Sequence, residues 1–106
     1  MKSSKLLVTS VFAALSLTVS TTVLADGAAL YKSKTCWSCH GKDAKSPIMP
    51  MYPKLAGQGA DYAYNQMKDI KSGARNNGQT AAMKGVMGLV NDAEMREIAD
   101  WLATLK

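Results

Sequence analysis

The sequence predicts an all-α domain of three to five short helices, and three observations carry that prediction. Apolar residues recur at helical spacing in several separate segments, caps and stops bracket those segments, and no stretch alternates apolar with polar residues as a half-buried strand does. Proline and glycine collect in the intervals, so the helices are joined by irregular loops.

Residues 1–25 read as a cleavable secretory signal peptide that precedes the domain. Lys2 and Lys5 form a positive start, Leu6 to Leu24 is apolar but diluted by Ser and Thr, and Val23-Leu24-Ala25 ends on a small residue. An uncleaved membrane anchor is the competing reading, and the polar dilution and missing stop-transfer charge weigh against it. Residues 26–106 are then one exported domain beginning at Asp26, with the periplasm as the expected compartment. At that size a hydrophobic core alone leaves little margin, so a further staple is expected. Without Lys2 and Lys5 the formal charge falls from +5 to +3, too weak and scattered to suggest nucleic acid.

The first element is a short helix between Asp26 and Lys34, with Ala28, Leu30 and Tyr31 as its apolar content. From Lys42 to Gly59, Pro47, Pro50 and Pro53 rule out regular structure, and a loop of that length in a compact domain usually has a task. Asp61 is placed to cap a helix from about Tyr62 to Ser72, with Ala63, Met67 and Ile70 on one face and Gly73 as its stop. Arg75 to Gln79 is a turn, and Thr80 to Val90, with two glycines, reads as a looser region. The last helix is the most clearly marked. Asn91-Asp92-Ala93-Glu94 is a capping box, and Met95, Ile98, Ala99, Leu102 and Leu105 fall on one stripe.

The chemistry lies in Cys36-Trp37-Ser38-Cys39-His40, the C-x-x-C-H arrangement of c-type haem attachment. Two thiols so spaced reach the two vinyl groups on one porphyrin edge, and the next residue sets an imidazole under the iron. A disulfide closing so small a loop would stabilise little. A thioredoxin-like pair belongs beside a βαβ unit that is missing here, and zinc needs about four ligands where two cysteines and the single histidine fall short. The staple is therefore one covalent haem.

With no second histidine, methionine is the available sixth ligand. Met67 and Met95 sit on apolar stripes and read as core, while Met49 and Met51 lie close to His40 and suit its supporting side. Met83 and Met87, ahead of the last helix, remain as candidates.

The whole of residues 26–106 resembles class I cytochromes c, especially the short periplasmic kind that also forms single halves of dihaem cytochromes. The resemblance rests on Cys36 to His40, on Tyr52-Pro53-Lys54-Leu55-Ala56-Gly57-Gln58, on Asp69 to Arg75 and on Val90 to Met95. It implies a fold wrapped around one haem c and a soluble carrier that shuttles single electrons between Fe(II) and Fe(III). From its spacing to Trp101 it implies Met83 as the distal iron ligand, with Met87 as the alternative. It implies a backbone carbonyl bonded to the ligating imidazole, for which Pro50 is the counterpart and Pro47 the alternative. It also implies that the first helix crosses the last, bringing Gly27 and Tyr31 to Trp101.

Two filled axial positions leave no site for substrate at the iron, so an electron carrier is expected rather than an enzyme. An apolar pocket of Ile48, Leu55, Ile70, Leu89 and Val90 and a soft thioether both favour the ferrous state. The expected partners are redox proteins in brief contact, with Lys32, Lys34, Lys42, Lys45 and Lys54 available to steer an acidic one. Neither nucleic acid nor membrane insertion of the mature chain is expected. Association with an oxidoreductase complex as a fixed haem subunit is the alternative, as is a haem ligand-binding protein if the methionine is labile.

Overall fold

A computed structural model describes residues 26–106 of the protein; the leader expected over residues 1–25 lies outside the described residues. Five helices follow one another: α1 (Gly27–Ser33), α2 (Trp37–His40), α3 (Ala60–Ser72), α4 (Thr80–Met87) and α5 (Asp92–Thr104), with no strand among the described residues.

Each boundary has a local cause. Asp26 caps α1 by accepting the Ala28 N–H at 3.0 Å. The stop of α3 is Gly73, whose φ of 88° puts it in the left-handed conformation that glycine adopts without penalty. The start of α3 differs from expectation. Gly59, not Asp61, is the N-cap, and Asp61 lies in the first turn, where its charge meets the positive end of the helix dipole and pairs with Arg96 at 2.8 Å. The Thr80–Met87 region is a helix rather than a loose segment. Gly85 weakens it, but Thr80 and Met87 are buried and α4 packs against α3, so tertiary contact outweighs the glycine.

α5 is the centre of the assembly and packs against both α1 and α3. Its buried face, Met95, Ile98, Ala99 and Leu102, joins Tyr31, Ala63, Met67, Ile70, Met87 and Val90 in one core, while Leu105 lies half-buried just past the helix end. At the α1–α5 crossing, Gly27 has no room for a side chain: a Cβ there would overlap the Glu97 carbonyl and the Trp101 Cβ. Tyr31 meets Trp101 with ring centroids 5.1 Å apart, the tilted arrangement aromatic pairs prefer. Both contacts are those the resemblance implied.

The capping box of α5 is complete, with Glu94 N–H donating to Asn91 at 2.8 Å and Asn91 N–H to Glu94 at 3.0 Å. Asn91→Ala removes one half of it and is expected to cost about 1 kcal/mol, lowering the melting temperature by roughly 4–8 °C for a domain of this size. Thermal denaturation followed by circular dichroism checks this. Just before the box, Lys34 donates to the Leu89 carbonyl at 2.9 Å and Lys71 to the Val90 carbonyl at 2.5 Å. Two helices thus hold the α4–α5 connection from either side.

Candidate functional site

Tyr31, the only fully buried side chain of α1, donates its hydroxyl to the Gly41 carbonyl at 2.5 Å and ties that helix to the end of α2. Gly41 turns the chain sharply, with φ of 88° and the Ser46 backbone where a Cβ would stand. Between these anchors, α2 presents Cys36, Cys39 and His40 to a single cavity of about 370 Å³. No disulfide joins the two cysteines. Burial pushes the Cys36 thiol up to about 11, with Cys39 adding to the effect and a backbone hydrogen bond opposing it, so this sulfur is neutral at neutral pH.

His40 is buried, and its Nδ1 lies 2.8 Å from the Pro53 carbonyl oxygen. A carbonyl only accepts, so Nδ1 carries the proton and Nε2 keeps a free lone pair. Burial lowers the pKa of the ring, partly offset by the Pro53 bond, which keeps the imidazole neutral and ready to ligate.

The acceptor is therefore Pro53, and neither Pro50 nor Pro47 takes that part. The loop explains the difference. Ile48 N–H donates to the Cys39 carbonyl at 3.1 Å, while Ala44 accepts from Leu55 N–H at 2.9 Å and Ala56 N–H at 3.0 Å. Ala44 is wholly buried in a left-handed conformation, φ 59°, which turns its carbonyl to that double bond. Between these pins the chain bulges outward, leaving Pro50 exposed at the bend and returning Pro53 to the imidazole.

Met83 and Met87 both line the cavity. Met87 is 2% exposed and belongs to the core, whereas Met83 is half-buried and packs against the core's edge. Met67 is buried and also lines the cavity, Met95 is buried away from it, and Met49 and Met51 are largely exposed. Of the expected apolar walls, Leu55, Ile70 and Val90 line the cavity. Ile48 and Leu89 do not, being 65% and 70% exposed because both sit at bends outside the helical stripes. Tyr31, Met51, Ala63, Ala82, Val86, Ile98 and Leu102 add to the apolar lining.

This arrangement fits a covalent haem. Two thiols and an imidazole with its outer nitrogen free share one cavity, whose walls are mostly aliphatic and aromatic and whose polar groups are few. Among the described residues, no group of three or more His, Cys, Asp or Glu side chains is placed to hold a bare metal ion.

Comparison with known proteins agrees with the geometry. A family model described as cytochrome c matches residues 24–106. Cytochrome c-553 of Nitratidesulfovibrio vulgaris is 37% identical over 100 residues, covering 94% of this chain and 96% of that protein. Cytochrome c4 of Pseudomonas aeruginosa is 41% identical over 75 residues, covering 71% of this chain and 35% of the longer protein. A protein of Stutzerimonas stutzeri named thiosulfate dehydrogenase electron acceptor is 33% identical over 83 residues, covering 78% of this chain and 37% of its own length. The chain thus spans most of the first relative and little more than a third of the other two.

Proposed function

The chain belongs to the cytochrome c family and carries covalently bound haem c, and from that premise we propose that it is an exported, periplasmic monohaem electron carrier with His40 and Met83 as its iron ligands. When bound, the haem supplies an iron that takes up or releases one electron at a time.

The remaining work falls to the chain's own residues. Cys36 and Cys39 hold the porphyrin edge through thioether bonds, which makes the cofactor the staple that so small a domain needs. His40 coordinates through Nε2, and the Pro53 carbonyl fixes its ring and raises its donor strength. Met83 supplies a soft, neutral thioether that favours the ferrous state. Leu55, Ile70, Val86, Val90, Ile98 and Leu102 exclude water, and low polarity disfavours extra charge on the iron, which acts in the same direction. The observation that carries this reading is the shared cavity of Cys36, Cys39 and a His40 whose Nδ1–H is already engaged.

Electrons pass to redox proteins in brief encounters over a small surface. Lys32, Lys42, Lys45 and Lys54 are exposed and suited to steering an acidic partner. Lys34 is not, since Glu94, 3.2 Å away, and the Leu89 carbonyl engage its ammonium. No helix among the described residues is long and apolar enough to cross a membrane. A second reading, a haem subunit fixed within an oxidoreductase assembly, is favoured by the relative named for thiosulfate dehydrogenase.

Intact mass and absorption of the protein purified from the exported fraction test the proposal together. The expected result is the mass of residues 26–106 plus one haem, with a weak ferric band at the red end of the spectrum. A colourless chain with unmodified thiols overturns it. Stable co-purification with a flavin or copper protein selects the second reading.

A further inference from the structure

Two lysines from different helices converge on a pair of backbone carbonyls that the helical ladders leave over. Leu89 and Val90 lie between α4 and α5, and among the described residues no backbone N–H donates to either carbonyl. Lys34, the C-cap of α1, donates its ammonium to the Leu89 oxygen at 2.9 Å. Lys71, in the last turn of α3, donates to the Val90 oxygen at 2.5 Å. Both bonds bring a full positive charge to carbonyls just past the C-terminal end of α4, where the helix dipole favours cations and a charged donor strengthens the bond.

Glu94 joins the two lysines. Its carboxylate stands 3.2 Å from the Lys34 ammonium and accepts from the Asn91 N–H at 3.0 Å. That N–H first, and then the charges of Lys34 and Lys71, hold the Glu94 carboxyl below its usual range, so at neutral pH it is an anion facing both cations.

The segment so braced is the one behind Met83. α4 ends at Met87, and the N–H groups of Gly88 and Leu89 bond back to the Lys84 and Val86 carbonyls, so fixing Leu89 and Val90 fixes the end of α4. A helix of this length with Gly85 inside it does little to hold itself. Lys34 also stands just ahead of Cys36, whose N–H is bonded to the Tyr31 carbonyl at 3.1 Å. Its bond to Leu89 therefore ties the helix that carries Met83 to the segment that carries the two cysteines.

We propose that Lys34 and Lys71 are positioning residues for the distal ligand, bracing the end of α4 so that the Met83 thioether stays on the iron in the ferric state. This rests on the reading of His40 and Met83 as iron ligands given above. Ferric iron is the harder of the two states and holds a soft thioether less firmly, so the oxidised protein is the one that depends on the brace.

The test is the affinity of the ferric holoprotein for added imidazole, read from loss of the weak red band, in the parent, K34L, K71L and the double variant, with thermal melts alongside. Imidazole binds only those molecules whose methionine has left the iron, so its apparent affinity reports that fraction. The double variant is expected to bind imidazole roughly tenfold more tightly than the parent, with the single variants between. K71R, which keeps a cationic donor, should recover part of the change, and R96Q, which breaks the Arg96–Asp61 pair between α5 and α3, should keep the parent's affinity. If K34L and K71L lower the melting temperature but leave the imidazole affinity at the parent's value, the lysines only stabilise the fold and the inference is overturned. The parent sample separates the two readings: a ferric parent without the red band refutes methionine ligation itself, whereas a parent with the band and a double variant indistinguishable from it removes only the role of the lysines.

Discussion

Met83→Ala abolishes the weak red ferric band while leaving haem attached, and it is expected to have the largest effect of any single substitution on the redox behaviour. The thioether contributes soft donation to ferrous iron, so its loss lowers the potential and opens a coordination position to carbon monoxide or added imidazole. Removing a half-buried methionine from the core's edge also costs roughly 2 kcal/mol in packing. The spectroscopic outcome separates the two effects, because Met87→Ala, at the more deeply buried site, should cost more stability and keep the band. If the band survives Met83→Ala and disappears in Met87→Ala, the ligand assignment is wrong.

Cys36→Ser combined with Cys39→Ser should leave the domain unable to fold. Without the cofactor, the apolar walls of a cleft of about 370 Å³ lose the group that covers them, and the uncovered surface forfeits about 25 cal/mol of hydrophobic stabilisation per Å². An ordinary small domain has only about 5–15 kcal/mol of stability to lose. The double variant is expected to be colourless after denaturing electrophoresis, to show little helical circular dichroism and to be cleared by proteolysis. A colourless variant that kept the parent's helix content and melting temperature would show that the walls close without the cofactor.

Much of this was legible in the chain because short-range rules govern it. The α5 capping box and its stripe, the Gly73 stop and the Cys36-to-His40 motif each depend on residues a few positions apart, and the structure has them where the spacing puts them. What was misread depends on longer range. α4 carries a glycine and a weak local signal, and its helix rests on packing against α3. The identity of the proline that bonds His40 is set by how Ala44 and Cys39 pin the loop, which no spacing rule reports. A signal for Pro53 was nevertheless present, since it lies within the Tyr52-to-Gln58 segment that carried the family resemblance while Pro50 does not.

The close meeting of Gly27 with Glu97 and Trp101 makes the folded polypeptide a closed hoop, with its clasp where the first helix touches the last. In many domains the terminal segments fray independently while the middle stays intact. Here neither α1 nor α5 can peel away without undoing the other, and the clasp shares Tyr31 with the tether to α2. Losing a turn of α1 or α5 therefore loosens the grip on the cofactor, so these two helices are as intolerant of trimming as the centre of the domain.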